Sequence, residues 1–159
     1  MKSVLFVCLG NICRSPAAEG IMRHLAEIHG LEHEIKVDSA GIGNWHVGDL
    51  PDPRMRAHGK RHGYLFNSRA RQFVAEDFDR FDLIVAMDME NVRDLMSKCR
   101  SPYDSAKIVC MADYLRHHPT HKTVPDPYYG GEQGFELVID LLEDACEGLL
   151  ESLRKKIRS

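Results

Sequence analysis

The sequence predicts a single α/β domain: a four-stranded parallel sheet in the order 2-1-3-4 with helices on both faces. Three observations carry that expectation. Short apolar runs rich in β-branched residues alternate along the chain with helical patterns, the signature of right-handed βαβ crossovers. The two clearest runs, Ser3–Cys8 and Leu83–Met87, are apolar almost throughout, as strands covered on both faces are. The chain has 159 residues, enough for one well-buried core and tight for two, so residues 1–159 are expected to form one domain.

Taken in order, the first strand, Ser3–Cys8, leads into a helix expected over Pro16–His29, where Ile21, Leu25 and Ile28 fall at helical spacing. Weaker strands follow at Ile35–Ser39 and Lys107–Met111, on either side of Leu83–Met87. Shorter helices are expected over Pro53–His62 and Asn91–Lys98. A long helix runs from about Phe135 to Arg154, with Val138, Leu141, Leu142, Ala145, Leu149 and Leu153 along one stripe. In such sheets ligands bind beyond the C-terminal ends of the strands, at the switch in strand order. The first strand ends at Cys8, so attention falls on the loop that follows.

Composition narrows the function classes. Twenty-one Lys and Arg against 24 Asp and Glu give a net charge of −3, which excludes a strongly basic nucleic-acid binder. No segment approaches the roughly 20 apolar residues of a membrane span. A signal peptide fails because the run Val4–Leu9 is short and is followed by Asn11 and Arg14. The expectation is a cytoplasmic protein without a membrane or nucleic-acid partner. Five cysteines without framework spacing are then free thiols.

The loop reads Cys8-Leu9-Gly10-Asn11-Ile12-Cys13-Arg14-Ser15-Pro16 and joins a strand to a helix. Helix N-termini carry unpaired N–H groups and partial positive charge. Every residue from Cys8 to Ser15 has an N–H to donate, and the first proline comes only at Pro16. Gly10 and Asn11 tolerate left-handed backbone angles, which let successive N–H groups converge on one anion. Cys8 opens the loop and Arg14 closes it, and Arg grips two phosphate oxygens with its planar fork. A thiol beside an arginine and a helix N-terminus loses its proton readily, and the thiolate is the nucleophile. The bland alternative is a buried cysteine at a strand end with an arginine on a helix surface. The strand–loop–helix context favours a nucleophile beneath a bound oxyanion.

Phosphoryl transfer to a thiolate expels an alkoxide or phenoxide, which needs a proton. Asp126 lies in Pro125-Asp126-Pro127-Tyr128-Tyr129-Gly130-Gly131, stiffened by proline on both sides. Tyr128 and Tyr129 are placed to line a slot for a flat leaving group.

V-C-L-G-N-I-C-R-S-P-A-A-E at 7–19 and D-P-Y-Y-G at 126–130 resemble the low-molecular-weight protein tyrosine phosphatase family. The likeness continues through D-S-A-G at 38–41, W-H-V-G at 45–48, P-D-P-R at 51–54 and A-M-D at 86–88. It implies a phosphocysteine on Cys8, phosphate binding by Arg14 and the loop Leu9, Gly10, Asn11, Ile12, Cys13 and Ser15, and acid–base work by Asp126. It implies further that Asn11, Ser15 and Ser39 hold the loop by hydrogen bonds, with Ser15 assisting the thiolate. Trp45 and His46 would form the wall opposite Ile12, Tyr128 and Tyr129, and Cys13 would be a redox partner of Cys8. Ile12 leans toward phosphotyrosine, since a related branch acting on phosphoarginine carries Thr there. One departure is Ser68, where many members have His, so loop support from that side is expected to be rearranged.

The resemblance implies no cofactor and no metal. His58 and His62, spaced i, i+4, and the cluster His117, His118 and His121 are expected to be solvated surface, as is the basic run Arg54, Arg56, Lys60 and Arg61. The partners expected are phosphotyrosine-containing proteins, with the chain a monomer prone at most to weak self-association. Two other classes are weighed. A thiol-linked arsenate reductase needs resolving cysteines near the site, and Cys99 and Cys110 are poorly spaced for that. A non-catalytic phosphotyrosine-binding module is disfavoured by the presence of both nucleophile and acid.

Overall fold

The computed structural model describes residues 1–118, 120–127 and 131–158; Pro119, Tyr128, Tyr129, Gly130 and Ser159 lie outside it. A parallel sheet of β1 (Lys2–Cys8), β2 (Ile35–Gly41), β3 (Leu83–Ala86) and β4 (Ile108–Cys110) has the order β2-β1-β3-β4. The helices are α1 (Arg14–Ile28), α2 (Pro53–Arg61), α3 (Asp77–Arg80), α4 (Met89–Met96), α5 (Pro102–Ser105) and α6 (Glu132–Arg158), with a 3-10 turn at Met111–Tyr114. The expected order and all four strands are present.

Strand alternation sorts the core into two layers. Val4, Phe6 and Cys8 of β1 face α1 and α6, joining Ile21, Met22, Val138, Leu142 and Leu149. Leu5 and Val7 face the other way, onto Phe73, Phe78 of α3 and Leu95 of α4. All six stripe residues of α6 are buried. Registers Cys8↔Gly41 and Val7↔Ala86 bring the ends of β1, β2 and β3 to one edge of the sheet.

The differences from expectation have local causes. Helix α1 starts at Arg14, two residues before Pro16. Proline is tolerated there because the first-turn N–H groups have no intrahelical acceptor. Helix α4 starts at Met89 because Asp88 Oδ1 accepts the Asn91 N–H at 2.8 Å and caps it. Helix α6 begins at Glu132, before its first apolar stripe residue, and strand β4 is only three residues long.

His62 and His117 are exposed as expected, but His58 and His118 are not simple solvated surface. His58 is buried at 3% exposure and its Nδ1 meets Glu136 Oε1 at 2.5 Å, while His62 Nε2 meets Glu136 Oε2 at 2.8 Å. Glu136 of α6 thus ties both to α2, and these two imidazoles hold its carboxyl below the ordinary range. His118 sits between Asp140 and Asp144 of α6. In the basic run, Lys60 and Arg61 are exposed. Arg54 is exposed as well, though it pairs with Asp52 at 2.9 Å and lies 4.8 Å over the Phe135 ring, and Arg56 donates to the Pro51 carbonyl. Among the described residues no helix is long and apolar enough to cross a membrane, and no group of three or more ligating side chains is arranged to hold a metal ion.

Candidate active site

Cys8 ends β1 with its side chain buried, and the chain then turns through residues 9–13 into α1. The loop is pinned from outside by its carbonyls. Ile42 N–H donates to Cys8 O at 2.9 Å, Gly43 N–H to Leu9 O at 2.9 Å and Asp52 N–H to Ile12 O at 2.7 Å. Peptides here are all trans, so each C=O points opposite to the following N–H. Anchoring these three carbonyls turns the N–H groups of Leu9, Gly10 and Cys13 to the loop's other side. The α1 N-terminus carries no side-chain cap, whereas α2 and α4 are capped by Asp52 and Asp88.

The two residues expected to adopt left-handed angles divide. Asn11 does, at φ 58°; Gly10 is not among the positive-φ residues. Gly10 is small for a different reason: a Cβ there would lie 3.1 Å from Cδ2 of His46, which covers it. Gly41 is fixed by the loop itself, since a Cβ would meet Gly10 C at 3.0 Å and Asn11 N at 3.1 Å, backbone that cannot yield.

Counting donors orients the polar network under the loop. Asn11 Oδ1 accepts the Arg71 N–H at 3.0 Å, so its Nδ2 donates, to Ser15 Oγ at 2.8 Å and Ser39 Oγ at 3.0 Å. Ser39 passes its one hydroxyl hydrogen to Glu19 Oε1 at 2.6 Å. Ser15 Oγ, which accepts from Asn11, lies 3.0 Å from Cys8 Sγ, so its hydrogen is available to the thiolate form of Cys8. Burial pushes the Glu19 carboxyl up, against the pull of Ser39 and of Arg23, whose Nη1 is 2.8 Å away. Ser68 lines a separate cavity of about 340 Å³ with Glu19 and Arg23. Support for Asn11 comes from the Arg71 main chain and the Ser39–Glu19 pair.

Arg14 is 2% exposed. Its Nη1 donates to Asp88 Oδ2 at 2.6 Å and Val124 O at 3.1 Å, and its Nη2 lies 3.5 Å from Asp126 Oδ2. Burial works against its charge, but Cys8, Asp88 and Asp126 outweigh it and hold the guanidinium above its ordinary value. Asp126 is partly exposed, two residues after Val124, whose N–H is tied to Met87 O at 2.9 Å.

A cleft of about 330 Å³ opens above, lined by Cys8, Leu9, Gly10, Ile12, Cys13, Arg14, Trp45, His46 and Asp126. Trp45 is 68% exposed and does not pin its loop to the core. Its ring lies flat over Gly43, where a Cβ would come within 2.0 Å. Tyr128 and Tyr129, expected on the cleft wall, lie outside the described residues. Cys13 is 4% exposed, and burial, then Asp52 and Cys8, push its thiol up. Neither Cys99 nor Cys110 lines the cleft. Sequence reasoning quoted Glu19 only as the last residue of the 7–19 motif, gave Arg71 no role, and held Asp88 only as the alternative acid. The signal for Glu19 was an acidic residue inside the apolar face of α1.

A buried thiol at a strand end, an arginine at the following helix start and a carboxylate 3.5 Å from that arginine define a cysteine-dependent phosphatase. The chain belongs to the family described as low molecular weight phosphotyrosine protein phosphatase, whose model matches residues 3–159. A Synechocystis sp. relative is 52% identical over 97% of this chain and 98% of its own. The low molecular weight protein-tyrosine-phosphatase YfkJ of Bacillus subtilis is 47% identical over 98% of each chain. Among solved structures, a protein tyrosine phosphatase from Entamoeba histolytica is similar with a TM-score of 0.94 and 47% identity, over 98% of this chain and 99% of that one.

Proposed function

We propose that the chain hydrolyses phosphotyrosine in proteins, and small aryl phosphates, with Cys8 as nucleophile, Arg14 and the loop amides as the phosphate cradle, and Asp126 as acid and base. The observation that carries this reading is the alignment of three groups on one cleft: the Cys8 thiol beside the Ser15 hydroxyl, Arg14, and Asp126 at its guanidinium. In the first displacement the thiolate forms an S–P bond as the P–O bond to the phenol breaks, and Asp126 gives its proton to the departing oxygen. In the second, Asp126 takes a proton from water, which attacks phosphorus, breaks the S–P bond and returns the thiolate. Arg14 and the loop N–H groups hold the equatorial oxygens throughout.

Ile12 and Trp45 flank the aromatic ring in this reading, with Tyr128 and Tyr129 completing the slot. Asn11, Ser15 and Ser39 hold the loop, and Cys8 with Cys13 forms the redox pair. A reducing compartment keeps both as thiols, which fits a monomeric enzyme of the cytoplasm. The test is phosphate release from phosphotyrosine, phosphoserine and phosphoarginine peptides with chelator present. Release from phosphotyrosine alone is expected; preference for phosphoarginine or phosphoserine would refute it.

A further inference from the structure

The irregular segment that leads to Asp126 is held at two points among its described residues. One is beside the cleft, where Val124 is tied to Met87 O and Arg14. The other is six residues earlier, on α6. There His118 Nδ1 lies 2.9 Å from Asp144 Oδ2 and His118 Nε2 lies 2.9 Å from Asp140 Oδ2. Ionised carboxylates only accept, so two such contacts require a hydrogen on both ring nitrogens: the imidazole here is an imidazolium.

Its surroundings agree. Asp144 also accepts the main-chain N–H groups of Arg116 and His117, at 3.1 and 2.8 Å, which leaves it acceptor-only and fixed. Asp140 and Asp144 are four residues apart on α6, a like-charge pair that repels unless a cation sits between them. Of the other titratable neighbours, Arg116 pairs with Glu147 and Glu151, His117 adds its own pull on the Asp144 carboxylate, and the His121 ring meets His118 edge-on at 6.1 Å. The Asp144 and Asp140 carboxylates together hold the His118 ring above the ordinary histidine value. The clamp is therefore closed at low pH, and it opens as the pH rises through that raised value, when one of the two carboxylates loses its donor.

We propose that His118, as an imidazolium bridging Asp140 and Asp144, is a positioning residue for the catalytic acid. It fixes the far end of the segment whose near end presents Asp126 to the cleft. The proposal rests on the reading of Asp126 as the acid. An acid displaced by a fraction of an ångström loses transition-state proton transfer before anything else changes. The loss must then depend on how much the leaving group needs a proton, which a general loss of folded protein does not produce.

The experiment compares kcat/KM for phenyl phosphate and p-nitrophenyl phosphate in wild type, His118→Gln, His118→Arg, Asp140→Asn and Asp126→Ala. At about pH 5.5, where the imidazolium is intact, the phenyl to p-nitrophenyl ratio is expected to fall about five- to tenfold in His118→Gln, a fraction of the 10²–10⁴-fold worth of a general acid. Asp140→Asn, which keeps Asp144, is expected to fall by less. His118→Arg supplies a permanent fork for both carboxylates and is expected to restore the ratio to within about twofold. As pH rises, wild type and His118→Gln converge while His118→Arg stays apart. The proposal is overturned if the ratio in His118→Gln equals that of wild type, if Arg serves no better than Gln, or if the difference persists unchanged at high pH. A ratio unchanged in Asp126→Ala would instead overturn the reading of Asp126 as the acid.

Discussion

Asn11→Ala is the sharpest probe of the network beneath the phosphate loop. The substitution removes three hydrogen bonds, to Ser15, Ser39 and the Arg71 main chain, all at or below 3.0 Å around a residue 2% exposed. At about 1 kcal/mol net per buried bond they amount to about 3 kcal/mol. Alanine must also hold the left-handed angle of φ 58°, which costs it about 1 kcal/mol more than it costs asparagine. The expected loss is about 3–5 kcal/mol by urea unfolding, with Asn11→Gly about 1 kcal/mol milder because glycine carries no such strain. The same change frees Ser15 from its donor, so its hydroxyl no longer has to point at Cys8. A fall in kcat/KM of about 10–100-fold is expected, short of the loss of a full oxyanion donor. A stability within about 1 kcal/mol of wild type, or equal stabilities for Ala and Gly, would refute the reasoning.

Asp126→Ala should lower kcat/KM for phenyl phosphate about 10²–10⁴-fold and for p-nitrophenyl phosphate far less; equal losses along a leaving-group series would move the acid to another residue, with Asp88 next in line. Peroxide should oxidise the Cys8 thiolate to a sulfenic acid that condenses with Cys13 and releases water, so dithiothreitol restores wild type but not Cys13→Ser; equal recovery would leave Cys13 a packing residue. Because its buried thiol is pushed up, that condensation should be slower than with an exposed thiol. Glu136, held below the ordinary carboxyl range by His58 and His62, should contribute stability that is full above the unfolded carboxyl value and lost as pH falls through its lower folded value. Glu136→Gln should therefore flatten the acid limb of a melting-temperature profile, and an unchanged limb would count against the clamp.

The parts of this molecule that were legible in the sequence are those written locally. Cys8, Arg14 and the existence of α1 lie within one strand–loop–helix stretch, and the prolines around Asp126 mark a stiff loop without reference to the rest of the chain. The parts that were not legible depend on residues distant along the chain. Arg71 reaches Asn11 across 60 positions, and Glu19 reaches Ser39 across 20. His58 reads as a surface residue between Ala57 and Gly59, and only the crossing of α6 buries it on Phe135 and Glu136. Gly10 shows the same limit in another form: its composition was read as backbone freedom, whereas the reason is the His46 ring above it.

In the proposed reaction the phosphoryl group passes through Cys8. The most direct measurement is a rapid acid quench during turnover of a phosphotyrosine peptide, followed by intact-mass and peptide mapping. A transient gain of one phosphoryl group is expected on the peptide containing Cys8, absent in Cys8→Ser, which still binds phosphate through Arg14 and the loop amides. Steady phosphate release with no adduct at any quench time, or an adduct mapped to another residue, would contradict it.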